Sequence, residues 1–192
     1  KQNNQPSNSS ILGKEIFPLS SISNSKIIHC NENGYFSSFE SDRYGFNNLD
    51  EVWDEAEIEY LMVGDSFVHG ACVNRPHDIS SVLRILSKKT VVNLGQSETG
   101  PLIMYSRLRE YIKPNVKNIV WFFYEGNDYD DLRGELQSKI LSKYLYDLNF
   151  SQNLKLKQSL INELVRKEIV KEEQKIDVII NKKKKNLSNY FF

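Results

Sequence analysis

Three short motifs, each placed directly after an apolar run, contain the residue types that acyl transfer through a serine needs. They are Gly64-Asp-Ser66, Asn93-Leu-Gly95 and Gly126-Asn-Asp128. A serine on a tight turn from a strand into a helix exposes its hydroxyl and directs its backbone N–H outward, where that N–H can stabilise an oxyanion. Glycine allows close backbone approach to a substrate, and an asparagine amide can donate to the same oxyanion. Gly-Asp-Ser alone also suits an ordinary helix cap, so the placement of all three motifs carries the argument.

The elements that position these motifs alternate between strand and helix. The sequence predicts strands over residues 58–63, 90–94 and 118–124, with helices over 77–88 and 101–113 between them. This alternation is typical of a parallel sheet with crossover helices, which binds ligands at the carboxyl ends of its strands. The third strand is apolar throughout, which predicts that both of its faces are covered. All three motifs therefore fall at the same edge of the predicted sheet.

The order of the motifs resembles the SGNH hydrolases, the family of GDSL-like esterases and acyl-esterases. The phrase Gly64-Asp-Ser-Phe-Val-His-Gly70, followed by Val-Val-Asn-Leu-Gly95, looks like the bacterial branch that acts on acylated glycans, and the resemblance covers roughly residues 40 to 130. It implies an α/β, flavodoxin-like, three-layer fold with a parallel sheet. It also implies that Ser66 is the nucleophile and its N–H the first oxyanion donor. The Gly95 N–H and the Asn127 side chain would be the second and third donors.

The chain departs from that family in its fourth block, Asp-x-x-His, which would supply the catalytic base and is not found in the sequence. The three histidines are His29, His69 and His77, all before the second strand. We expect His29 to belong to a hairpin, His69 to share the first helical turn with Ser66, and His77 to open the next helix. None of these positions favours a role as general base for Ser66. A base must first lie within hydrogen-bond distance of the serine hydroxyl, and only then does its pKa matter.

Two classes of function follow. The first is a serine esterase or O-acyltransferase acting on acyl esters of a glycan, most simply acetyl esters, through an acyl-serine intermediate, and incomplete as given. The alternative is a catalytically inactive fragment or degenerate member that binds a glycan or a protein. A third hypothesis is a scaffold whose function lies in the helix over residues 154–185.

The sequence predicts that the chain is divided into two regions, residues 1–56 and residues 57–192. The first is a polar lead-in over about 15 residues followed by a β-hairpin, residues 26–30 and 35–39 joined by Asn31-Glu-Asn-Gly34. The second is a partial SGNH-type domain that ends in helices over 129–147 and 154–185. Since three strands are recognisable where a doubly wound domain usually has about five or six, we expect the sheet to be truncated.

The composition of the chain restricts the classes of ligand and binding partner that we expect. With 25 basic and 25 acidic side chains the chain has no net charge, which argues against a nucleic-acid partner. The acidic residues between 125 and 131 favour a helix start over a metal site, so neither metal nor cofactor is expected. Two cysteines, Cys30 and Cys72, are too few for a disulfide scaffold, and free thiols are favoured over a single bridge. The resemblance implies export or a membrane anchor outside this chain, and an acylated carbohydrate or small ester as substrate.

Overall fold

The computed structural model describes residues 16–32 and 34–188, with side chains as far as residue 181. The lead-in predicted for residues 1 to about 15 therefore lies outside the described residues. Two short 3₁₀ helices, Asp50–Trp53 and Leu154–Lys157, accompany the main elements. The strands and helices are β1 Lys26–Ile28, β2 Ser38–Glu40, β3 Ile58–Val63, α1 Ser66–His69, α2 Ile79–Ser87, β4 Val91–Asn93, α3 Pro101–Tyr111, β5 Val116–Trp121, α4 Asp128–Glu135, α5 Lys139–Tyr146 and α6 Gln158–Ser188.

The centre of the molecule is a parallel sheet with strand order β4-β3-β5. Side chains alternate across β3, as the period of two in a strand requires. Leu61 and Val63 lie in one core cluster with Leu102 of α3, whereas Met62 packs in a second cluster with Val68 of α1 and Leu83 of α2. The predicted α/β class with a parallel sheet is thus confirmed, and the ends of β3, β4 and β5 share one edge.

Two apolar surfaces of the described residues, on β5 and on α2, are exposed. Strand β5 pairs only with β3 within the described residues, and Ile119 and Trp121 remain 47% and 39% exposed. The prediction that this strand is covered on both faces was wrong, because β5 is an edge strand here. Likewise α2 buries small Ser80 and Ser81 and leaves Leu86 77% exposed.

The predicted hairpin is confirmed, with shorter strands than expected: β1 and β2 pair antiparallel in the register Ile27 to Phe39. The residues before it are not separate from the sheet. Ile16 and Leu19 are buried in the same cluster as Tyr111 of α3 and Ile161 of α6. The hairpin is therefore attached to the main core, and the boundary between residues 56 and 57 stays a prediction.

A buried carboxylate organises the turn between the hairpin and the sheet. Asp42 accepts hydrogen bonds from two backbone N–H groups of the following turn, from Asn48 Nδ2 at 2.9 Å and from Trp53 Nε1 at 2.7 Å. Burial raises the pKa of Asp42, and these donors oppose that rise by stabilising the charged form. The same Asn48 exchanges two hydrogen bonds with the backbone of Asn93, at 2.8 and 2.9 Å, so the turn is fixed to β4.

The C-terminal half is helical, as predicted, but the expected helix over 129–147 is two helices, α4 and α5. The chain turns between them because Ser138 caps α5 through the N–H of Leu141. Glu135, at the end of α4, accepts the N–H groups of Gly100, Leu102 and Ile103 and so caps α3. None of the helices that the structure describes combines the length and apolarity needed to cross a bilayer.

Cys30 and Cys72 form a disulfide, with their Cα atoms 5.1 Å apart. The expectation of free thiols was wrong, because the fold brings the end of β1 beside the loop after α1, a proximity that a sequence separation of 42 does not reveal. The bridge ties the hairpin to the segment that follows Ser66.

We expect reduction of the Cys30–Cys72 bridge to lower the free energy of unfolding by up to about 4 kcal/mol, since the unfolded chain regains the entropy of a loop of this length. Urea denaturation with and without reductant measures the change. The double variant Cys30→Ser/Cys72→Ser should match the reduced protein and show no response to reductant. A wild-type midpoint unmoved by reductant would contradict this account.

Candidate functional site

A cleft of about 690 Å³ opens at the carboxyl edge of the sheet, a volume in the range of small-molecule sites. Its walls come from four separate parts of the chain: the hairpin loop, α1 with the loop that follows it, the loop after β4, and the start of α4. The side chains that matter below are His29, Ser66, Cys72, His77, Ser97 and Asn127.

Ser66 is the first residue of α1 and lies in the cleft wall, half-buried. The helix begins there because Asp65 Oδ1 accepts the N–H of Phe67 at 3.0 Å, and it ends after one turn at Gly70, whose φ is 78°. The Ser66 N–H is the first of this helix and has no intrahelical acceptor to bind. Among the described residues, no side chain hydrogen-bonds to Ser66 Oγ. The serine is thus presented to the cleft without a base beside it.

Asn127 also lines the cleft, as the residue that precedes α4. Its Nδ2 donates to Asp131 Oδ2 at 2.8 Å, which orients the amide and leaves the second amide hydrogen for a ligand. Burial raises the pKa of Asp131, and this hydrogen bond opposes the rise. Ser66 and Asn127 are therefore brought together in one cleft, as the sequence predicted.

Gly95 is not brought to the cleft. Its N–H donates to Asn93 Oδ1 at 2.7 Å, so the donation to an oxyanion that the resemblance implied is not what the structure shows. A Cβ at this position would lie 2.3 Å from the His69 backbone nitrogen and 2.5 Å from the Val68 carbonyl carbon. Glycine is required here because α1 packs directly on the end of β4, not because a substrate approaches.

The Asn93 side chain holds α1 in that position. Its Nδ2 donates to the carbonyl of Val68 at 2.6 Å, while its Oδ1 accepts the Gly95 N–H. Asn47 reinforces the contact by donating to the carbonyl of His69 at 2.9 Å. The helix that carries Ser66 is thus fixed at its C-terminal end by two buried amides.

The histidines lie on or beside the elements to which the sequence assigned them, and His29 and His77 also line the cleft. His69 lies on the same turn as Ser66, as predicted, and is buried; its Nδ1 accepts the N–H of Ser97 at 3.1 Å. His77 is exposed at the cleft, just before α2. His29 extends from the hairpin into the cleft, and its Nε2 lies 3.0 Å from Ser97 Oγ.

Burial controls the charge of this pair of histidines. It lowers the pKa of His29 and lowers that of His69 well below its ordinary value, the second shift being increased by His29 and Arg107. The two imidazoles lie with ring centroids 4.3 Å apart, so two charges there would repel strongly. Both rings are therefore neutral near pH 7.

Sequence reasoning missed Ser97 and His29 as cleft residues that contact each other. Ser97 ends Gly95-Gln-Ser97 and so follows a strand, which was a usable signal. His29 had no such signal, because its contact with Ser97 spans 68 residues and depends on how the hairpin docks.

We expect His69 to make folding sensitive to mild acid. Its pKa is lowered in the folded state, so between that value and about 6.5 the unfolded chain binds a proton that the folded chain does not. The free energy of unfolding should therefore fall as pH drops below about 6.5, and His69 should contribute at most about 1.4 kcal/mol per pH unit to that fall.

Urea denaturation at pH 7.5, 6 and 5 tests this on the wild type and on His69→Asn, whose side-chain oxygen can still accept the Ser97 N–H. The variant should lose part of the acid slope, and the matched control His77→Asn, at an exposed histidine, should keep it. Identical slopes for wild type and His69→Asn would refute the assignment.

Comparison with known proteins returned no match: no family model, no curated protein and no solved structure is similar to this chain. The interpretation of the cleft therefore depends on its own geometry and on the residue motifs.

Proposed function

We propose that this chain is a serine esterase or O-acyltransferase domain that acts on acyl esters of a glycan through an acyl-Ser66 intermediate. The observation that carries the proposal is the meeting of Ser66, on a capped helical turn, with Asn127 in one cleft of about 690 Å³. A small acyl ester with part of a sugar fits a cleft of this volume.

The chemistry follows from these two positions. Ser66 Oγ attacks the ester carbonyl carbon, and its proton passes through solvent to the leaving alkoxide as the bond from that carbon to the alkoxide oxygen breaks. Water or a sugar hydroxyl later takes the acyl group, and the proton that it loses returns through solvent to Ser66 Oγ. The Ser66 N–H and the free hydrogen of the Asn127 amide are the donors for the oxyanion of the tetrahedral intermediate. An oxyanion site without a base retains on the order of a thousandfold rate enhancement over water.

The fold supports the same proposal. In the flavodoxin-like strand order 2-1-3-4-5, the first strand lies between the second and third, which is the relation that β3 has to β4 and β5. We therefore propose the SGNH type of this fold. The disulfide favours an oxidising compartment, which agrees with export.

The competing function is a binding module for an acylated glycan or a protein. One observation favours it: within the described residues, Ser66 has no base. Such a module would bind the ligand in the same cleft without turnover.

Ser66→Ala decides between these functions. We expect incubation with 4-nitrophenyl acetate to acetylate Ser66 in the wild type, detected by tandem mass spectrometry on its tryptic peptide, and we expect no acetyl group at position 66 in the variant. Ser87→Ala, a serine near the end of α2, is the matched control and should behave as wild type. An unacetylated Ser66 peptide together with saturable binding of an acetylated oligosaccharide would favour the binding module.

A further inference from the structure

A second serine in the cleft has the base that Ser66 lacks. Ser97 Oγ lies 3.0 Å from His29 Nε2 and 3.2 Å from His69 Nδ1. Ser97 and His29 both line the cleft, and Ser97 is 8% exposed. A serine hydroxyl within hydrogen-bond distance of an imidazole nitrogen is the geometry by which a histidine activates a nucleophile.

The hydrogen-bond pattern directs the hydroxyl proton toward His29. A backbone N–H can only donate, so His69 Nδ1 must use its lone pair to accept the N–H of Ser97. His29 Nε2 is closer to the hydroxyl, and within the described residues its hydrogen-bond partner is Ser97 Oγ. The Ser97 O–H therefore donates to His29, which needs a free lone pair on Nε2 to act as a base.

The fold holds His29 in this position from three sides. Its ring packs edge-on against Phe39 of β2, at a centroid distance of 6.4 Å, and lies 4.3 Å from the His69 ring. The neighbouring Cys30 is bonded to Cys72, and both cysteines line the cleft. Within the described residues His29 Nδ1 is buried without a hydrogen-bond partner, so the arrangement is a dyad and not a triad.

We propose that Ser97 is a second nucleophile of the cleft, with His29 as its general base, and that it reacts with carboxylic esters and related acylating groups. Ser97 Oγ bonds to the acyl carbon while its proton passes to His29 Nε2. The bond from the acyl carbon to the ester oxygen then breaks, and the leaving alkoxide takes the proton from His29. Water attacks the acyl-Ser97 ester, gives its proton to His29, and the proton returns to Ser97 Oγ as the acid departs.

This inference does not depend on the proposed role of Ser66, because it requires only the contact between Ser97 and His29. The two serines are also separable by experiment: Arg84, Lys88 and Lys89 lie between them, so trypsin places them on different peptides. If one serine does not react, the assignment of the other serine as a nucleophile is unaffected.

The test is labelling of the oxidised chain with a fluorophosphonate, which forms a bond from the serine oxygen to phosphorus with loss of fluoride. Adducts are located by mass spectrometry of tryptic peptides in the wild type, Ser97→Ala, Ser66→Ala, His29→Gln and His77→Gln. His29→Gln keeps a side chain that can accept the Ser97 hydroxyl but cannot take its proton, and His77→Gln removes a cleft histidine that does not contact Ser97.

We expect an adduct on the Ser97 peptide, absent in Ser97→Ala, still present in Ser66→Ala, formed at least tenfold more slowly in His29→Gln, and formed at the wild-type rate in His77→Gln. Thermal unfolding of each variant establishes that it is folded. An adduct confined to Ser66, no adduct on either serine of the wild type, or undiminished Ser97 labelling in folded His29→Gln would each overturn the proposal.

Discussion

The carboxamide of Asn93 is the interaction on which the cleft depends. The Asn93 side-chain amide accepts the Gly95 N–H and donates to the carbonyl of Val68, while the Asn93 backbone N–H donates to Asn48 Oδ1. The end of β4, the helix that carries Ser66 and the turn around Asp42 are thereby fixed to each other. These groups are buried, so each would be costly to leave without a partner, and the amide can satisfy them only in this arrangement. The position of Ser66 is therefore a consequence of hydrogen bonding beneath it and not of apolar packing alone.

The sheet is well covered on the side of β4 and open on the side of β5. Hydrophobic burial fixes the first side, where Val91 and Val92 are fully buried, whereas Ile119 and Trp121 of β5 stay exposed. An edge strand with apolar side chains and unpaired backbone groups has strong association potential. The cleft lies at the ends of the strands, where the covered β3 and β4 determine its geometry, so the exposed edge does not disturb the placement of Ser66 or Ser97.

Local patterns predicted the fold class and the positions of Ser66 and Asn127, because both residues directly follow apolar runs whose period and length indicate strands. The predictions that failed were those that depend on tertiary packing, which local sequence patterns do not specify. The apolar character of residues 118–124 cannot tell a central strand from an edge strand, and the spacing of Cys30 and Cys72 cannot reveal that the hairpin folds over α1. Gly95 illustrates a third limit. The need for glycine was predicted, but its reason is contact with the backbone of His69, which has the same sequence signature as contact with a ligand.

Because of the disulfide at the cleft wall, the chemistry of the site depends on whether the protein folded under oxidising or reducing conditions. His29 precedes Cys30 in the chain, so the oxidation state of the sulfur pair determines whether one of the three restraints on the imidazole is present. Material folded in a reducing cytosol and material folded in an oxidising compartment would differ by two hydrogen atoms in mass and by how firmly His29 is held in the cleft. Two preparations of identical sequence and similar secondary structure would thus differ in their rate of reaction with an ester.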